Sequence, residues 1–194
     1  MSNLNYRFPR RPAVAILLAT FCVLTFGSDA QAQRRDFMTE AEIEIVRDAQ
    51  DIDLRIDVLT KMIDRRFAAL KVDAGGWKPP SKETEKWGEE PAGTRLQLLT
   101  DVRRLLQKAV DDIDDVAEHD TNAQTQNKTT GKLFPKAVRG LAAAVSRYSP
   151  ILQATLRSTT DEKERGAILD SIDLSDQILA AATKLPAEQK KTKN

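Results

Sequence analysis

Apolar residues in this chain recur in steps of three and four, a spacing that only an α-helix turns into one continuous face. The first such stripe is Ile45, Ala49, Ile52, Ile56, Leu59, Ile63 and Leu70, with Arg66 as its single break. Leu54, Val58 and Met62 broaden it beyond a two-stranded seam, so it suits a globular bundle. The second is Leu99, Val102, Leu106, Ala109, Ile113 and Val116, and the third runs from Val138 through Leu141, Val145 and Tyr148 to Leu152. The fourth continues through Ile168, Ile172, Ser175, Leu179 and Ala182. No segment alternates with the period of two that marks a half-buried strand.

Punctuation residues place the ends of these segments. Thr39 with Glu42, and Thr159 with Glu162, have capping-box spacing. Pro135 suits a first helical turn, and Pro186 stops the last segment. The third register continues through Pro150, which predicts one kinked helix rather than two. Helices are therefore expected at about 39–70, 94–118, 134–158 and 160–185, with a basic tail over 187–194. Four such helices predict an all-α fold, an antiparallel up-down four-helix bundle over residues 33–186.

The first 32 residues read differently. Arg7, Arg10 and Arg11 precede an apolar run at 13–26, and a short polar stretch then ends in Ala30-Gln31-Ala32. This is the order of a cleavable signal peptide, with Ala30 and Ala32 as the small residues of the cleavage site. The run is shorter than the roughly 20 apolar residues that span a bilayer, so a membrane role is expected only if the leader stays uncut. The leader predicts a periplasmic or secreted protein.

Cleavage would remove Cys22, the only cysteine, so the mature chain is expected to rely on packing rather than disulfides. It would also remove three arginines and Asp29, which moves the formal charge from +1 to −1. A near-neutral balance argues against nucleic acid as a partner.

Catalysis is limited by inventory. One histidine, His119, cannot supply a His-rich metal site or the paired Glu-x-x-His motifs of a di-iron bundle. No Gly-rich phosphate loop or G-x-S-x-G turn is present. The densest charge feature is the DDIDD run at 111–115 followed by Glu118. Asp111 with Asp115, and Asp114 with Glu118, share helical faces, a set of oxygen donors suited to Ca²⁺ or Mn²⁺. The competing reading is a solvated acidic face. The acid-x-x-x-Asp spacing of Asp111/Asp115 and Asp53/Asp57 resembles the metal motif of PhoU-type helical bundles. Those proteins are cytoplasmic, whereas this leader marks export.

The linker at 72–93 holds Trp77 and Trp87, the only tryptophans, among prolines and glycines. A linker of this length inside a small domain is uncommon, and tryptophan favours interfaces. The pair is expected either to cap an open end of the bundle or to bind a partner. Together these features predict a non-enzymatic, exported protein that binds a protein, a second copy of itself or an envelope component. The alternative is a divalent-cation-binding bundle that uses Asp111, Asp114, Asp115 and Glu118.

Overall fold

A computed structural model describes residues 35–78, 85–119, 126–127 and 131–186. The expected leader with Ala30 and Ala32, Cys22, and the expected basic tail at 187–194 lie outside the described residues. The chain divides after Asp36, and every described helix belongs to the unit Phe37–Asn194. The fold is all-α. Among the described residues it holds helices α1 (Glu40–Asp48), α2 (Ile52–Ala69), α3 (Arg95–His119), α4 (Leu133–Ser158) and α5 (Glu162–Thr183). A 3-10 turn at Glu85–Trp87 interrupts the Trp linker, and a two-residue antiparallel ribbon pairs Gln126–Asn127 with Gly131–Lys132. No helix of the described residues is long and apolar enough to cross a membrane.

The expected single helix at 39–70 is two helices. α1 starts at the Thr39–Glu42 capping box, where the Glu42 amide donates to Thr39 Oγ1 at 3.2 Å and the Thr39 amide donates to Glu42 Oε2 at 3.0 Å. It stops at Ala49, and α2 restarts after Asp51. Arg55 Nε donates to the Ala49 carbonyl at 3.0 Å, which caps the end of α1. The break turns α1 back along α2 and brings Glu42 to Arg65 and Arg66. In an unbroken helix those residues would stand about 35 Å apart at 1.5 Å per residue.

α2 ends in a Schellman motif: the Val72 amide donates to the Phe67 carbonyl and that of Lys71 to Ala68, both at 2.9 Å. Lys71 occupies the left-handed position at φ 63°, where glycine is usual. The α5 cap also differs from expectation. Asp161, not Thr159, accepts from the Lys163 and Glu164 amides, both at 2.9 Å. Thr159 is buried beneath it, and its carbonyl accepts from Arg165 at 3.0 Å. α4 runs without interruption through Pro150.

The four long helices share one core. α2 packs on α3 and α4, and α5 packs on the same two, while α3 and α4 touch little. α2 and α3 are antiparallel, since Arg66 near the end of one faces Asp101 near the start of the other. α4 and α5 are antiparallel as well: Arg165 at the start of α5 donates to the Leu156 carbonyl late in α4.

The other two lateral pairs run parallel, contrary to an all-antiparallel arrangement. Arg95 and Glu164, each at the start of its helix, meet at 3.0 Å, and Arg103 faces Asp170 further along. Likewise Lys136 meets Asp53 at 2.5 Å near the starts of α4 and α2, and Tyr148 donates to the Thr60 carbonyl beyond them. α3 and α4 thus stand on a diagonal. The link from 119 to 133 has the reach for it, at up to roughly 3.5 Å per residue against helix spacings of about 8–10 Å.

The α3 stripe is buried along its whole length. On α5 the buried face is instead Ala167, Ile168, Ser171, Leu174, Ser175 and Ile178. Ser171 and Ser175 are tolerated there because each hydroxyl donates to a carbonyl one turn earlier, at 2.8 and 2.7 Å.

Candidate functional site

Arg66, the one break in the first apolar stripe, is 1% exposed. A lone buried guanidinium would carry a large desolvation penalty, so its partners must be brought to it. Glu42, 0% exposed, supplies them: Arg66 Nη2 donates to Glu42 Oε2 at 2.7 Å, and Nη1 donates to Oε1. Arg66 Nη2 also donates to the Phe37 carbonyl at 2.6 Å, and its Nε faces Asp101 Oδ2 at 3.9 Å. Arg65 lies beside it and donates from Nη1 to Glu42 Oε1 at 2.6 Å and from Nη2 to the Glu89 carbonyl at 2.5 Å. Two buried arginines thus face two buried carboxylates, and the group is formally neutral. Burial, reinforced by the neighbouring charge of Arg66, holds the Arg65 pKa below its ordinary value despite Glu42.

The tryptophans complete this cluster. The Arg65 guanidinium carbon lies 5.2 Å from the Trp77 ring centre and 5.6 Å from that of Trp87, within cation-π range. The two rings meet edge to face at 5.7 Å. Trp87 is 4% exposed, whereas Trp77 is only half-buried. Gly88, at φ 64°, lets the chain leave the 3-10 turn, and a Cβ there would approach Ala41 of α1 to 3.0 Å.

A second ion pair fixes the other side of the linker. Arg147 of α4 donates to both oxygens of Asp64 on α2, at 3.2 and 3.3 Å, and also to the Ala74 carbonyl. Its guanidinium lies 5.1 Å from the Tyr148 ring centre. Burial raises the Asp64 pKa, and hydrogen bonding and charge from Arg147 offset this only in part. Burial likewise pushes the Tyr148 phenol up. Gly76 sits so close that a Cβ on it would overlap the Asp64 carboxylate. Between these two clusters lies an open cavity of about 470 Å³ lined by Asp64, Ala68, Lys71, Val72, Asp73, Ala74, Trp77 and Glu90.

The acidic residues of α3 are arranged otherwise. Asp111, Asp114, Asp115 and Glu118 are exposed along its last turns. Asp111 accepts from Gln107 at 2.8 Å, and Asp115 lies 3.2 Å from His119 Nδ1. Asp114 borders an apolar hollow of about 270 Å³ with Ile113, Phe134 and Ile178. Among the described residues, no group of three or more His, Cys, Asp or Glu side chains is gathered to hold a metal ion. His119 Nδ1 is 2.9 Å from the Asp115 carbonyl, and that bond, with the Asp115 charge, raises its pKa. The other acid pair, Asp53 and Asp57, is engaged by Lys136 and Lys61 respectively.

Sequence reasoning brings Trp77 and Trp87 forward but misses Arg65, Asp101, Asp64 and Arg147. Its one trace of the buried network is Arg66 interrupting an apolar stripe; Glu42 is visible only as a cap. No protein-family model, curated protein or solved structure matches this chain.

Proposed function

We propose that this chain is an exported, non-enzymatic four-helix bundle protein that acts by binding a protein or cell-envelope partner at its Trp-bearing end. Its helices alternate up and down along the chain, with the second and third long helices on a diagonal. The leader at 1–32, cleaved after Ala32, supplies the address. The observation that carries the binding assignment is the unequal treatment of the two tryptophans. Trp87 is buried, while Trp77 keeps part of its ring at the wall of an open cavity. A half-wet indole beside a rigid ionic network is the kind of anchor that interfaces use. The buried charges at this end balance in sign, with only Arg65 Nε and Arg66 Nε left without a hydrogen bond among the described residues, which favours a scaffold for recognition over a reactive centre.

The test is site-specific photo-crosslinking in intact cells, with the crosslinker at Lys71 on the cavity rim and, for comparison, at exposed Leu169 on α5. A discrete adduct from position 71 and none from 169 supports the reading. Equal labelling at both positions, or none at 71, counts against it. Export is tested on its own by N-terminal sequencing, which should begin at Gln33.

A further inference from the structure

We propose that the cavity walled by Trp77, Asp73 and Glu90 receives an alkylammonium or guanidinium group, carried on a free amine or on a basic side chain of the partner. This deepens the binding role proposed above and rests on it.

The charges that line the cavity set its preference. Of its three carboxylates, Asp64 is held by Arg147, which leaves Asp73 and Glu90 against the single cation Lys71. Both carboxylates are exposed. One Asp73 oxygen accepts from the Gly75 amide at 2.7 Å, which fixes that side chain at the rim. Glu90 meets Arg65 only through longer-range attraction. An anion entering here would face a net negative wall.

The aromatic wall points the same way. Arg65 is buried behind the Trp rings, does not line the cavity, and has its charge met by Glu42. Trp77 is half-buried and lines the cavity, so part of its indole is open to a ligand there. Tryptophan is the strongest of the aromatic side chains toward cations, and the effect grows where water is excluded. Ala68, Val72 and Ala74 complete the lining with apolar surface for the stem that carries the charge. Carboxylates alone would suit any cation. An indole with an apolar floor selects an organic one.

Both tryptophans of the chain belong to this cluster, so intrinsic fluorescence reports on it without a label. The full mature chain is titrated with n-butylammonium, with ethylguanidinium, with butyrate, and with the neutral-ended peptide acetyl-Gly-Lys-Gly-amide. A saturable emission change is expected with the cations and none with butyrate. Combining Glu90→Gln with Asp73→Asn should weaken cation binding by at least about five-fold. Asp114→Asn, an exposed acid elsewhere, should leave it unchanged. Unchanged melting temperatures for these surface variants exclude a folding artefact.

Binding of the peptide about ten-fold or more tighter than n-butylammonium identifies a partner's side chain as the source. Equal affinities identify a free amine. The proposal is overturned by no saturable cation response up to about 100 mM, by an equal response to butyrate, or by an unweakened double variant. If those results came with specific crosslinking at position 71, the binding role would stand and only the ligand class would fall.

Discussion

Glu42 and Arg66 are separated by 24 positions, yet both guanidinium Nη atoms of one reach the two carboxylate oxygens of the other. The same carboxylate also accepts from Arg65 and from the backbone amide of Thr39. One buried acid thus starts α1, fixes where α1 lies on α2, and neutralises charge beneath the Trp linker.

Removing that acid leaves two arginines buried against Asp101 alone. Glu42→Ala should therefore destabilise the protein by about 3–5 kcal/mol, the range for breaking one side of a buried pair. Glu42→Gln keeps the shape and the cap and should lose less. Urea denaturation measures both, and near-zero changes would show that the network carries no stability.

The linker predicts opposite outcomes for two glycines. Gly76→Ala places a methyl group into Asp64 and within 2.8 Å of Arg147 Nη1, so the ion pair must move. A loss of about 1–3 kcal/mol follows, as for overpacking. Gly140, in the middle of α4, has nothing within 4 Å of its would-be Cβ. Gly140→Ala should stabilise by roughly 0.5–1 kcal/mol through backbone entropy and helix propensity. Thermal melts of the two variants should shift in opposite directions.

Much of this architecture is legible in the spacing of apolar residues. The α3 stripe, from Leu99 to Val116, is all core. What periodicity cannot show is a break that preserves register. Ala49 and Ile52 are three apart and both buried, so the stripe continues across the turn that separates α1 from α2. Nor does it fix lateral order, because α3 beside α4 and α3 beside α5 require the same apolar faces. The site is hidden for a related reason. Arg65 and Arg66 look like surface arginines until Glu42 is folded back on them, and that depends on contacts distant in sequence. On α3, by contrast, DDIDD draws attention by composition, while the structure spreads those acids along exposed turns.

The tryptophans should differ in what they contribute to stability. Trp87 ends the 3-10 turn, which packs on α1, and it is buried beside Arg65. Trp87→Ala should lose about 3–5 kcal/mol, as for large core residues. Trp77 is half-buried, and Trp77→Ala should lose roughly half that or less while removing the wall of the cavity. Denaturant midpoints give the ranking directly. A larger loss at Trp77 would make it a structural residue rather than an anchor.

Asp64 provides the pH prediction. Its folded pKa is raised above the ordinary 3.8, chiefly by burial and against the pull of Arg147. Between the unfolded and folded values the folded state therefore binds more protons, so this group's contribution to stability falls as pH rises through that window. Above the folded pKa the penalty for ionising a buried carboxyl is complete and constant. Asp64→Asn removes the titration but keeps a side chain of the same shape beside Arg147. The stability of the wild type minus that of Asp64→Asn should accordingly decrease as pH climbs from 3.8, then level off. Carboxyl carbon NMR should place the Asp64 midpoint above 3.8. A difference curve that rises with pH would mean that Arg147 outweighs burial, and that the pair stabilises the ionised carboxylate.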